Sequence, residues 1–187
     1  MNKFFQSIKR QVCKSHRILK VCIAMSMMSS VSYADVIVDI DISEPAHHLA
    51  NVVIEFPATN QSTIDIKFPQ WRTGKYEILN LSDVVRFFKV TTPGQSEVKW
   101  VKADKGTWRV SGVKGKKVKV SYQVYANQLG KRSRHIDDSH AFIDASGFVM
   151  YSNESKSDKH IVNLNVPDGW RSVSGLDFGK NEHQFIA

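Results

Sequence analysis

Cysteine is almost absent from this chain of 187 residues, and the two present, Cys13 and Cys22, both lie near the N-terminus. No disulfide and no thiolate metal site can form within residues 35–187, so that part must hold its fold by packing alone. Acidic residues are missing from the first 34 positions, where Lys3, Lys9, Arg10, Lys14, Arg17 and Lys20 are all basic. An apolar run, VCIAMSMMSSV, covers Val21 to Val31, and SYA follows, ending at Ala34. A basic region, a short apolar stretch and small residues at Ser32 and Ala34 predict a secretory signal peptide over 1–34, cleaved before Asp35. The apolar run falls short of the roughly 20 residues a membrane span needs. No stable membrane anchor is therefore expected after cleavage, and the product is expected to be exported, either periplasmic or secreted. Lys9 before Arg10 does not make a twin-arginine signal, and the lysine in LKVC does not suit a lipoprotein signal.

The formal net charge of +8 rests on 26 basic and 18 acidic residues. Six basic residues and no acidic one leave with the leader, so 20 stand against 18 and residues 35–187 carry only +2. Nucleic-acid binding thus has no composition argument, and the run KGKK at Lys114 to Lys117 reads as a solvated hairpin loop. Linkers, repeats and low-complexity tracts are absent as well; the most polar piece, SNESKSD at Ser152 to Asp158, reads as a loop. The remaining length suits one domain, since a domain of about 150 residues buries roughly 68–70% of its unfolded surface.

Period-two alternation dominates what is present. DVIVDIDI puts Val36, Val38, Ile40 and Ile42 on one side of a strand. NVVIEF (Asn51 to Phe56) and TIDIKF (Thr63 to Phe68) repeat the pattern, and Ala58 to Ser62 between them suggests a hairpin. Further strands are expected at Val84 to Val90, Glu97 to Val101, Thr107 to Val110, Lys117 to Ala126, Ala141 to Ile143, Phe148 to Tyr151 and His160 to Val166. Turns are expected at TPGQ (Thr92 to Gln95), DKG (Asp104 to Gly106), VKGK (Val113 to Lys116) and PDG (Pro167 to Gly169). Gly74 to Phe88 is the one stretch that could hold a helical turn. The expected fold is all-β: an antiparallel β-sandwich forming a single domain.

Catalytic signatures are also lacking. There is no His-Glu-x-x-His, no Gly-x-Ser-x-Gly elbow and no Walker loop. The dense polar stretch is KRSRHIDDSHAFIDASG, which puts His135, Asp137, Asp138 and His140 within six residues. Histidines five apart face apart on a strand and roughly opposite ways on a helix, so joint metal ligation would require the loop to curl. The plainer reading has Asp137 and Asp138 accepting backbone N–H groups in a tight turn, with Arg132 or Arg134 paired to a carboxylate. His47 and His48, after Pro45, read as solvent-exposed. Trp71, Tyr76, Tyr122, Tyr125 and Trp170 read as core or interface aromatics.

Two blocks then carry a family resemblance. FPQWRTGKY, with Pro69, Trp71, Gly74 and Tyr76, resembles the Leu-Pro-x-Trp-x-Pro-Gly-x-Tyr block of the N-terminal domain of the M61 glycyl aminopeptidase family. YQVYANQLGKRSRHIDDSHAFID, with Tyr125, Asn127, Arg134, His135, Asp137, Asp138 and His140, resembles that family's second signature. GTWRV (Gly106 to Val110) and VPDGW (Val166 to Trp170) fall in the family's order, and Thr73 stands where the family usually has proline, which is expected to loosen that turn.

The resemblance implies an N-terminal β-domain that in the family precedes a thermolysin-like zinc domain carrying His-Glu-x-x-His. Catalytic residues, metal ligands and cofactors are accordingly expected to be none in this chain. Arg134, His135, Asp137, Asp138 and His140 are expected to form a structural loop or a surface that docks a catalytic domain. The leading expectation is a non-catalytic interaction or scaffolding module, stand-alone or truncated. The alternatives are the first part of a split glycyl aminopeptidase, partnered by a zinc domain on another chain, and an independent sandwich that binds peptide or carbohydrate.

Overall fold

A computed structural model describes residues 35–72, 74, 76–130 and 134–187. The predicted signal peptide, Thr73 and Arg132 lie outside the described residues.

Strand β1 (Val36–Asp41) buries Val36, Val38 and Ile40, as its alternation requires, and β2 (Leu49–Phe56) buries Ala50, Val52, Ile54 and Phe56. There follow β3 (Thr63–Lys67), β4 (Val85–Thr91), β5 (Trp100–Asp104), β6 (Thr107–Ser111) and β7 (Val118–Tyr125). The short strands β8 (His135–Ile136), β9 (Ala141–Phe142) and β10 (Tyr151–Ser152) lead to β11 (His160–Asn165), β12 (Asp177–Phe178) and β13 (Gln184–Ile186).

These form a seven-stranded sheet in the order β12-β13-β11-β1-β2-β7-β4, a four-stranded sheet in the order β10-β3-β6-β5, and the β8-β9 pair. Inner faces of the two larger sheets share one core, where Val38, Ile54, Val120 and Val124 of the first are buried with Ile64, Ile66 and Val110 of the second. The protein is an all-β sandwich, antiparallel except where β11 runs parallel to β1. A parallel pair needs a long crossover, and here the rest of the sandwich separates the two strands in sequence.

Ala58 to Ser62 does not close a hairpin. β2 pairs with β1 and β7, whereas β3 pairs with β6 and β10, so the chain crosses between sheets at that point. Local alternation is identical for the two outcomes, because both strands present one apolar face to the same core. The four predicted turns are realised, Gly94 and Gly115 adopting positive φ of 80° and 74° that a side chain would strain. Leu81–Val84 forms a 3-10 turn within the stretch singled out as able to hold one. Phe148 ends a single helical turn, Ala145–Phe148, instead of starting a strand; the Asp144 carboxylate caps it, accepting from Ser146 N at 3.1 Å. The expected strand at Glu97 to Val101 begins only at Trp100.

Aromatic packing ties the sheets together. Phe88, on a β4 bulge, stacks on Trp108 with ring centroids 5.0 Å apart and meets Trp100 edge-on at 5.1 Å. Tyr122 is buried in β7, where its hydroxyl donates to the Phe148 carbonyl at 2.6 Å and accepts from Met150 N at 3.1 Å. Burial pushes its phenol pKa far above the ordinary value, so it remains a donor at any working pH. Tyr122→Phe would leave a buried carbonyl and a buried N–H unpaired. It should lower unfolding stability by about 1–3 kcal/mol, read by urea denaturation, with an unchanged fold by circular dichroism.

Candidate functional site

The polar loop grows out of the β2–β7 ladder. Past Tyr125, Ala126 N donates to His48 O at 2.8 Å, and Ile136 N donates to Ala126 O at 2.9 Å. Ile136 is fully buried, which pins the start of the loop to the core. β8 then pairs with β9, and Asp137 N donates to His140 O at 3.0 Å to close the turn.

Asp137 organises what lies between. Its Oδ1 accepts from Ser139 N at 2.8 Å, Ser139 Oγ at 2.7 Å and His140 N at 2.9 Å, while Oδ2 faces His135 Nε2 at 2.8 Å. A carboxylate only accepts, so Nε2 of His135 carries the proton in this arrangement. The Ser139 hydroxyl, the His135 ring and the two backbone N–H groups hold the Asp137 carboxyl well below the usual carboxylate range. The expected backbone-satisfying turn is therefore present, built on Asp137. Asp138, by contrast, is exposed.

The loop also curls, as joint ligation by its histidines would require. One ligand atom each of His135, Asp137 and His140 lies within 4.8 Å of the others. The His135 and His140 rings are 5.1 Å apart between centroids. His135 is buried with Nδ1 lacking a hydrogen-bond partner among the described residues, whereas His140 is exposed.

His48 was not legible as part of this site. Expected in solvent beside His47, it is half-buried at φ 56°, and its Nδ1 hydrogen-bonds the carbonyl of Ile136. Its ring lies 6.3 Å from that of His135 and meets Tyr125 edge-on at the same distance. The partner is 88 residues away, beyond any local pattern. The adjacent histidine pair after Pro45 was the only signal.

Arg134 is buried beneath the loop, with Nη1 3.5 Å from the Leu81 carbonyl. Burial, then the neighbouring Arg72 guanidinium, lowers its pKa against the opposing pull of Asp144 and Asp83. Among the described residues Arg72 pairs with the Asp144 carboxylate at 3.4 Å, and Arg134 makes no such ion pair.

The family-block residues fall on both sides of this region. Pro69 is half-buried, Gly74 has φ 85°, and Trp71 and Tyr76 are exposed, so of the core or interface reading the core half does not hold for those two. Tyr122 is core, and Trp170 packs against it partly buried. Tyr125 lies 5.1 Å under the Arg86 guanidinium, and the exposed Asn127 bridges to His135. Trp71 and Arg72 line an open depression of about 670 Å³ with Phe142, Asp144 and Ser146. A second, apolar groove of about 270 Å³ runs between Val162, Leu164, Phe142, Trp170 and Leu176.

The family description "Peptidase M61 N-terminal domain" matches residues 37–187. This chain belongs to the M61 peptidase family through that domain. Among solved structures, it is similar to an aminopeptidase N family protein from Idiomarina loihiensis, with a TM-score of 0.74 and 23% identity over 81% of this chain. That likeness supports the fold, and the chain spans about a quarter of the neighbour's length, 27%. No curated protein matches the sequence.

In the M61 domain the Asp137 turn has a clear thermodynamic signature. Asp137→Ala should lower the melting temperature at neutral pH. Because the folded carboxyl titrates below its unfolded value, the difference from wild type is full above the ordinary aspartate pKa of about 3.9 and shrinks as pH falls below it. Melting curves of both proteins across that range check it.

Proposed function

We propose that this M61-type domain acts as a non-catalytic interaction or scaffolding module. The observation that carries the reading is the match over 37–187 to an N-terminal domain, together with a sequence that contains no His-Glu-x-x-His. Without that motif the chain has no pair of imidazoles on one helix face with a carboxylate base beside them, the arrangement a zincin needs to activate water. The loop chemistry fits the same reading, since Oδ1 of Asp137 accepts the donors of its own turn. The basic, acid-free leader with its short apolar run supports export to the periplasm or beyond.

A specific observation favours a second reading, in which the module partners a zinc peptidase domain on another chain. Phe142, Val173 and Leu176 are exposed around the apolar groove beside β11. Exposed apolar surface concentrated at one place marks docking sites more often than chance.

One assay bears on both readings. The purified chain, supplied with zinc, should show no turnover of glycyl or alanyl aminopeptidase substrates, and turnover would overturn the module reading. Activity gained only on mixing with a separately produced M61 zinc domain, beyond that domain's own rate and lost in Leu176→Asp, is the result the second reading requires.

A further inference from the structure

We propose that His135, Asp137 and His140 form a binding site for one divalent transition-metal ion of the zinc class. The inference goes beyond the module reading and needs no catalysis. Two imidazoles and one carboxylate suit borderline ions such as Zn(II) and Co(II) better than Ca(II) or Mg(II), which prefer all-oxygen shells. Zinc holds such atoms at about 2.0–2.2 Å in a tetrahedral shell, so two ligand atoms stand about 3.5 Å apart. The three atoms lie within 4.8 Å of one another, and His140, being exposed, is the side chain free to move in and close that spread.

The loop is organised before any ion arrives. His135 sits on β8 beside the buried Ile136, and the position of His140 is fixed by its own N–H on Asp137 Oδ1 and its carbonyl on Asp137 N. The two oxygens of Asp137 divide the work. Oδ1 receives three turn donors and has His140 Nδ1 3.4 Å away, while among the described residues Oδ2 faces His135 Nε2. An ion between Oδ2 and His135 would displace one N–H donor and leave the turn intact.

Ligation through Nε2 moves the His135 ring proton to Nδ1, which is buried with no hydrogen-bond partner among the described residues, so metal binding must offset the cost of that unpaired N–H. The exposed flank, at His140 and Asp137, gives an entry path and leaves remaining coordination positions to water.

The test is Co(II) and Zn(II) titration of the full chain in a Cys13→Ser, Cys22→Ser background, which removes competing thiolates. Cobalt visible spectra and bound-zinc analysis after dialysis report stoichiometry and affinity. One ion per chain is expected. His140→Gln, exposed and therefore compatible with the fold, should weaken binding by at least about tenfold, since even partners outside the ligand shell are worth about 10–100-fold. His47→Gln, an exposed histidine outside the cluster, should change nothing. No bound ion, undiminished binding in His140→Gln, or equal loss in His47→Gln would overturn the proposal. Melting curves on each variant confirm that the comparison is between folded proteins.

Discussion

Val118, Val120, Tyr122 and Val124 occupy alternate positions of β7, and each is buried against the facing sheet. A one-residue slip would carry Lys119, Ser121, Gln123 and Tyr125 into that core, so the register with β2, from Leu49↔Tyr125 to Phe56↔Val118, has no apolar alternative. The candidate site inherits its geometry from this pairing. The ladder runs on through Ala126 to His48 on one side and to Ile136 on the other, placing His48 and His135 near one another at the end of β7. From the middle of the same strand, the Tyr122 hydroxyl fixes Phe148 and Met150, which hold the far end of the loop region over the core.

The loop therefore combines two regimes. Its floor, with Ile136, Arg134 and His135, is buried; its roof, with Asp138, Ser139 and His140, is in water. Asp137 stands between and is the acceptor for most of the roof's donors. A charged acceptor contributes more per bond than a neutral one, so a six-residue stretch with little apolar content can still hold one shape. A dense polar cluster can thus be held in one shape by its own turn, and that shape is the one proposed to take an ion.

What could be read from the sequence followed the reach of each signal. Alternation over six to eight residues identified β1, β2 and β7 closely, because each has one dry and one wet face. The same alternation could not say which sheet β3 joins, since Ile64 and Ile66 face the shared core from the opposite side to Ile54. β8, β12 and β13, at two or three residues each, are too short to show a period. The dense polar stretch reads as a tight turn with Asp137 and Asp138 as acceptors, and of the two Asp137 takes that part while Asp138 is exposed. Arg134 reads as a loop charge but is buried, and His48 reads as solvent but is tied to the loop, because both placements depend on residues far away in sequence.

Hydrogen exchange at the amides of Ala126, Ile136 and Asp137 tests most directly whether the loop is built as an extension of the β7 ladder. Ala126 and Ile136 should be protected nearly as strongly as Val120 and Val124, and Asp137 clearly above the exposed loop amides. Exchange of all three at the rate of an unstructured loop would contradict it.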